Sequence, residues 1–140
     1  MSEYLKRKID KFLFDWKANP DRKPLIIKGA RQVGKTKSIK TFAEQNYESI
    51  VEINFAEDPV YKQIVENGYS AEAVIKNISR INPEARFIKG KTLIFFDEIQ
   101  EFPDIATSLK FFSLDGNYDV ICSGSLLGVH YKEISNISVG

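Results

Sequence analysis

The eight-residue loop Gly29-Ala-Arg-Gln-Val-Gly-Lys-Thr36 places the strongest constraint on the fold of this chain. It matches the pattern G-x-x-x-x-G-K-[ST], in which backbone amides surround a phosphate group. The apolar run 25–28 precedes the loop, and a helical pattern over 35–46 follows it. A phosphate-binding loop requires a buried strand before it and a helix after it, so this context favours that interpretation over an ordinary glycine turn.

Each fixed residue type in the loop has a physical reason. Glycine at positions 29 and 34 allows a backbone curvature that a side chain would obstruct. Lys35 can reach the β- and γ-phosphates and assist catalysis, and the Thr36 hydroxyl can ligate Mg²⁺. The predicted nucleotide-binding residues are Gly29, Ala30, Arg31, Gln32, Val33, Gly34, Lys35, Thr36 and Lys37.

The rest of the chain alternates between strand and helix patterns. Apolar or β-branched runs predict strands over 25–28, 49–55, 92–96 and 118–122. Periodicity and capping residues predict helices over 2–18, 35–46, 58–68, 70–82 and 103–115. This alternation predicts an α/β fold, a three-layer sandwich with a mostly parallel sheet. We expect one domain over 1–140, with an N-terminal helix over 2–18 and a nucleotide-binding core over 24–130.

Two adjacent carboxylates, Asp97 and Glu98, follow the most apolar of the predicted strands. Ligands of open α/β sheets bind at the carboxyl ends of the strands, where this pair lies. Asp97 is suited to hold Mg²⁺, which prefers hard oxygen ligands. Glu98 is the candidate base that orients or deprotonates an attacking water. The alternative is an exposed acidic turn.

Three polar residues at other predicted strand ends are further candidates. Ser125, and less directly Ser123, could contact the γ-phosphate or the attacking water, although a serine after a strand is often a plain turn residue. We predict a catalytic role for Ser125. Asn54 could hydrogen-bond Glu98 and hold it away from water, or it could cap the next turn.

The composition excludes several classes of protein. Of 140 residues, 43% are hydrophobic and 28% are charged, which is typical of a globular domain. One Cys and one His exclude an internal disulfide and a Cys/His metal centre. No apolar run is long enough to cross a bilayer, and the N-terminus lacks a signal-peptide core. We therefore expect a cytoplasmic protein with no membrane partner.

The charge is divided unevenly along the chain. Residues 1–40 carry 12 Lys and Arg against 4 Asp and Glu, whereas residues 41–140 carry 8 against 15. A basic segment can meet polyphosphate or nucleic acid, or it can be the solvated face of a helix. Nucleic acid has little support, because aromatic and basic residues are not interleaved here as in proteins that stack bases.

Four sequence blocks together resemble the AAA-type ATPases of bacteria and archaea. They are the loop 29–36, Leu-Ile-Phe-Phe-Asp-Glu-Ile-Gln over 93–100, Ser-Leu-Lys-Phe-Phe over 108–112, and Gly-Ser-Leu-Leu-Gly over 124–128. The resemblance implies a P-loop fold with an extra strand between the phosphate-loop strand and the acidic strand. It also implies that Asp97 is the Mg²⁺ partner, Glu98 the catalytic base and Ser125 the polar sensor.

Members of that family continue into a fifth strand, a helical lid and a C-terminal region. Since this chain stops at Gly140, we expect it to be truncated before the fifth core strand and the lid. The phosphate-loop strand would then lie at a sheet edge. An arginine supplied from the lid or a neighbour can contribute roughly 10³–10⁵-fold to related reactions, so we expect slow or absent turnover.

The function predicted from these residues is hydrolysis of ATP to ADP and phosphate with Mg²⁺. ATP is favoured over GTP because no N-K-x-D guanine-reading motif is present. The expected partners are ATP and ADP, the missing C-terminal region and a second copy of the chain. Two alternatives remain open: a nucleotide-gated interaction switch with little turnover, and a small-molecule kinase on the same fold.

Overall fold

Helices and strands alternate along the chain in a computed structural model that describes residues 3–29 and 34–125, and the backbone of residues 135–139. The α-helices are α1 Glu3–Ala18, α2 Lys35–Asn46, α3 Ala71–Ile81 and α4 Ile105–Asp115. The strands are β1 Leu25–Gly29, β2 Ser49–Asn54, β3 Thr92–Asp97, β4 Asp119–Gly124 and β5 Ser135–Val139. Two short 3₁₀ helices cover Pro59–Val65 and Ile99–Glu101.

The five strands form one sheet in the order β2-β3-β4-β1-β5, and every neighbouring pair is parallel. Strand β4 lies between β1 and β3, as the extra strand of the predicted fold should. The three-layer α/β prediction is confirmed. Because all strands run the same way, the carboxyl ends of β1 and β3, at Gly29 and Asp97, lie at the same edge of the sheet.

The expected truncation before the fifth strand is wrong for the sheet itself. β5 pairs with β1 from Leu25–Ser135 to Gly29–Val139, and β4 pairs with β1 on its other side. Strand β1 is therefore an interior strand, and its backbone groups have partners on both sides. The short sequence Ser-Asn-Ile-Ser-Val gives little strand signal, so its pairing depends on the free edge of β1.

Helices α1 and α2 cover one face of the sheet. The buried residues of α1 are Ile9, Leu13 and Trp16, and they pack with Ile39 and Phe42 of α2. The Trp16 indole N–H donates to the Lys23 carbonyl at 2.8 Å. This bond holds the turn between α1 and β1, and it therefore helps to position the start of β1.

Helices α3 and α4 and the 3₁₀ helix Pro59–Val65 cover the other face. The rings of Phe55 and Phe96 stack at 5.8 Å between centroids, and Phe96 meets Phe112 of α4 at 6.4 Å. All six residues of β3 are buried, which is the pattern of a strand covered on both faces. The strand that carries Asp97 is therefore packed on both of its faces.

The segment predicted as a helix over 58–68 forms a 3₁₀ helix instead. Asp58, the residue before it, makes no side-chain capping bond, and Val60 is 47% exposed. Ile64 alone among the residues of this helix is fully buried, so there is little packing energy to select a regular α-helix. By contrast, Ser70 caps α3, since its hydroxyl accepts from the Ala73 N–H at 3.1 Å.

A cluster around Asp119 ties the amino end of the sheet together, and we call it the Asp119 cluster. The carboxylate accepts from Arg22 Nε at 3.0 Å and from the Tyr47 hydroxyl at 2.6 Å. Lys17 Nζ lies 3.5 Å from it and stands over the Tyr47 ring. The cluster therefore links the end of α1, the end of α2 and the start of β4.

The basic residues near the start of α1 lie on its solvent face. Lys6 pairs with Asp10 at 3.3 Å and Lys11 pairs with Asp15 at 2.9 Å, each one helical turn apart. Part of the positive surplus of the N-terminal segment is therefore neutralised within the helix. In the segments described, none of the helices combines the length and the apolar character that crossing a membrane would need.

Candidate active site

Of the predicted phosphate loop 29–36, the structure describes Gly29 and the residues from Gly34 onward. Gly34 has φ 75° and ψ 14°, a left-handed conformation that favours glycine, and α2 begins directly after it. The Ser38 N–H donates to the Gly34 carbonyl at 3.1 Å, which closes the first helical turn. Gly29 ends β1. The predicted binding residues Ala30, Arg31, Gln32 and Val33 lie outside the described residues.

The first turn of α2 carries three of the predicted residues. Lys35 is only 6% exposed, Thr36 is half-buried and Lys37 is exposed. A lysine ammonium is rarely buried without a counter-charge, because removing it from water is costly. The site is therefore built around a positive charge held at the N-terminus of a helix, where anions are favoured.

Asp97, at the end of β3, meets this turn directly. The Thr36 hydroxyl donates to Asp97 Oδ2 at 3.0 Å, and the Glu98 N–H donates to Oδ1 at 2.9 Å. Burial raises the pKa of the Asp97 carboxyl, although Thr36 and Lys35 act in the opposite direction. The carboxylate is 4% exposed, so its negative charge is one that a cation would stabilise.

The two predicted metal ligands, Thr36 and Asp97, are thus adjacent. Both offer the hard oxygens that Mg²⁺ prefers. Within residues 3–29 and 34–125, no three His, Cys, Asp or Glu side chains gather into a metal cluster. The donor set fits Mg²⁺ held mainly by phosphate and water, because this ion keeps several waters and needs few protein ligands.

Glu98 follows in an unusual backbone conformation. Its φ is 56°, the one positive value among the non-glycine residues that the structure describes. The 3₁₀ helix Ile99–Glu101 begins after it, and Gln100 Nε2 donates to Glu98 Oε2. Gln100 was not predicted as a site residue, because the contact depends on this turn and a sequence does not reveal it.

The predicted sensor Ser125 lies at the end of β4, next to the same glutamine. The Ser125 N–H donates to Gln100 Oε1 at 3.1 Å. The Ser123 hydroxyl is fully buried and has no hydrogen-bond partner. Of the two serines, only Ser125 is therefore joined to the acidic strand end by a bond that the structure shows.

Asn54 ends β2 opposite Asp97 in the strand register. Its side-chain oxygen accepts from the N–H groups of Ala56 and Glu57, each at 2.9 Å. The structure thus supports the second of the two interpretations, in which Asn54 caps the turn that follows its strand.

Two cavities adjoin Gly34. The larger, about 890 Å³, contains the predicted residues Lys35, Thr36, Lys37 and Glu98 in its wall, together with Asn54, and we call it the cleft. The other, about 600 Å³, is a groove between α1 and α2. The first turn of α2 and Glu98 therefore line one shared space.

Comparison with known families decides what kind of domain this is. Residues 21–140 match the family described as "AAA domain". The chain belongs to the AAA domain family. The matched region includes β1, the predicted phosphate loop, the acidic end of β3 and β4. This match supports a nucleotide-binding AAA module.

The chain is also similar to solved structures. The chain is similar to C. elegans PCH-2, with 14% sequence identity and a TM-score of 0.48. The match covers 96% of this chain and 40% of the PCH-2 chain, so this chain spans less than half of that length. No curated protein matches this AAA domain.

Proposed function

We propose that this AAA domain binds ATP and hydrolyses it to ADP and phosphate with Mg²⁺. The observation that carries the proposal is the contact between Thr36, in the first turn of α2, and Asp97, at the end of β3. Buried Lys35 stands beside this pair. A phosphate-binding helix turn and a cation-binding carboxylate at one point are the two parts that triphosphate chemistry requires.

Binding of the triphosphate would use charge and backbone together. The unpaired amides at the start of α2 and the positive end of its dipole attract phosphate oxygens. Lys35 adds a full positive charge directed at the β- and γ-phosphates. The cleft volume of about 890 Å³ lies within the range of small-molecule sites, roughly 300–1,000 Å³.

Asp97 and Thr36 would hold the metal ion. When bound, Mg²⁺ neutralises charge on the phosphate oxygens and stabilises the leaving group. A bound cation would offset the cost of burying the Asp97 carboxylate, and the Thr36 hydroxyl would offer a second oxygen to the same ion. The hydrogen bond between the two side chains keeps their oxygens 3.0 Å apart, so both could contact one ion.

Hydrolysis would use Glu98 as the base. A water attacks the γ-phosphorus, the bond to the β–γ bridging oxygen breaks, and ADP leaves. The Glu98 carboxylate accepts the proton that the attacking water loses. Ser125 is proposed to contact the γ-phosphate from the neighbouring strand end.

The lysine is the first part to test. We expect Lys35→Ala to weaken ATP binding by about 10- to 100-fold, since a hydrogen bond to a charged group contributes roughly 1.5–3 kcal/mol. Calorimetric titration with ATP and Mg²⁺ measures this. Lys89→Ala, in an exposed turn, is the control and should bind as the wild type does. Unchanged affinity in the Lys35 variant would refute the loop assignment.

The glutamate separates hydrolysis from binding. Glu98→Gln should bind ATP normally and lose about 10²–10⁴-fold in phosphate release, because the amide cannot accept the proton. Glu72→Gln, exposed on α3, is the matched control. A wild-type chain that binds ATP and releases no phosphate would support the nucleotide-gated switch instead.

A further inference from the structure

We infer that Gln100 is a positioning residue, which fixes the Glu98 carboxylate in the cleft and ties it to the backbone at the end of β4. This inference rests on the proposed hydrolysis, because it assigns Gln100 a role through the candidate base. The observation behind it is a chain of two hydrogen bonds, from the Ser125 N–H to Gln100 Oε1 and from Gln100 Nε2 to Glu98.

The two bonds determine the orientation of the Gln100 amide. A backbone N–H can only donate, so the group facing Ser125 must be the amide oxygen. The amide NH₂ then has to face Glu98, whose carboxylate accepts. Gln100 is therefore matched to its two neighbours, and a residue without both a donor and an acceptor could not replace it.

The local backbone presents the amide at this point. Glu98 leaves β3 with positive φ, and its carbonyl accepts from the Glu101 N–H at 3.0 Å, which closes a tight turn. Ile99 in this turn is 1% exposed and anchored in the core. With Ile99 fixed inward, the side chains on either side of it, Glu98 and Gln100, meet near the cleft.

Strand β4 leaves room for the amide through Gly124. A Cβ placed on Gly124 would lie 2.7 Å from Gln100 Oε1 and 2.9 Å from Ile99 Cγ1, closer than such atoms normally approach. The φ of Gly124 is not positive, so the reason for glycine here is space and not backbone freedom. The end of β4 is thus shaped to admit the Gln100 side chain.

The arrangement couples two parts of the site. Ser125 is the predicted sensor of the γ-phosphate, and Glu98 is the candidate base. A displacement of the Ser125 backbone would move the Gln100 oxygen, and with it the amide that holds Glu98. Misplacement of a reacting group by about 1 Å can cost on the order of 10²-fold in rate, so such a link would affect turnover more than binding.

The sharpest variant is Gln100→Glu. Its carboxylate can still accept from the Ser125 N–H, but it cannot donate to Glu98 and repels it. We expect kcat for ATP to fall about 10- to 100-fold while KM and the calorimetric affinity stay within about twofold. Gln63→Glu, on the exposed 3₁₀ helix, adds the same charge elsewhere and should leave kcat unchanged.

Gln100→Ala and Gln100→Asn complete the series. Alanine removes both bonds and should lower kcat as Gln100→Glu does. Asparagine keeps the amide on a shorter side chain and should recover part of the loss. If Gln100 only supported the turn, Gln100→Glu would keep the Ser125 bond and wild-type kcat, and that result would overturn the inference.

Nuclear magnetic resonance of ¹⁵N-labelled protein tests the contact without turnover. The Gln100 side-chain NH₂ signals should shift in Glu98→Ala, and the Ser125 backbone N–H signal should shift in Gln100→Ala but much less in Gln100→Glu. If ATP does not bind, the proposed function fails, while these signals still report whether Gln100 holds Glu98. Unmoved Gln100 signals in Glu98→Ala would contradict the contact.

Discussion

Two carboxylates at opposite ends of the sheet differ in how the protein balances their negative charge. Asp119, at the start of β4, is met by Arg22, Lys17 and the Tyr47 hydroxyl. Asp97, at the end of β3, receives hydrogen bonds from the Thr36 hydroxyl and the Glu98 N–H. The first is surrounded by cations, whereas burial raises the pKa of the second.

This difference indicates which end of the sheet holds the candidate site. Asp119 has its charge balanced within the protein, and it joins three elements that set the position of β1 and α2. Asp97 is 4% exposed, and the nearby Lys35 does not offset the cost of its burial. An incompletely compensated charge at the ligand-binding edge of an α/β sheet is typical of a functional site.

Removing the charge of Asp119 should have the largest effect on stability. In Asp119→Asn, Arg22 and Lys17 lose their counter-charge, and we expect about 2–4 kcal/mol less free energy of unfolding, somewhat below the value for a fully buried pair. Urea denaturation measures this, with exposed Asp104→Asn as the control. ATP affinity should stay within about twofold of the wild-type value. A large loss of affinity would contradict the claim that Asp119 contributes to stability and not to nucleotide binding.

The Tyr47 hydroxyl should account for part of that effect. Burial and Asp119 raise the pKa of Tyr47, so the hydroxyl stays protonated and donates to the carboxylate. Tyr47→Phe removes only this bond, and we expect about 1.5–2 kcal/mol of destabilisation in the same urea experiment. A value near zero would mean that Arg22 and Lys17 balance Asp119 without the tyrosine hydroxyl.

Removing the charge of Asp97 should instead increase the free energy of unfolding. Asp97→Asn removes a buried charge while keeping a partner for Thr36, so without nucleotide it should be about 1 kcal/mol more stable than the wild type near neutral pH. Because the folded pKa lies above the ordinary value of 3.8, the carboxylate lowers stability as pH rises past that value. The gain should therefore vanish in acid. Equal stabilities at every pH would contradict this interpretation of Asp97.

Exposed ion pairs on the surface should have the smallest effect on stability. Lys11 and Asp15 are both well exposed on α1, and Lys11→Ala should change stability by less than about 0.5 kcal/mol. Thermal unfolding in low and high salt measures this. A larger, salt-dependent loss would show that the basic face of α1 contributes to the fold.

Much of the architecture could be predicted because strong local signals coincide with the packing. The apolar run ending at Phe96 is a fully buried strand, and α2 occupies 35–46 as its pattern indicates. In these elements burial, periodicity and end signals all favour the same structure.

The features that were missed depend on contacts between distant parts of the chain. β5 has a weak pattern and is selected by the free edge of β1. The 3₁₀ form of Pro59–Val65 reflects how little of that segment is buried. The role of Gln100 depends on the positive φ of Glu98 and on the space at Gly124, and neither follows from local propensity.

A crystal structure with Mg²⁺ and a non-hydrolysable ATP analogue would test the central claim directly. The triphosphate should lie in the cleft against the first turn of α2, with Lys35 Nζ on a phosphate oxygen and a metal ion about 2.1 Å from Thr36 Oγ1. A nucleotide in the groove between α1 and α2, or a cleft in which the Thr36–Asp97 pair touches neither metal nor phosphate, would contradict it.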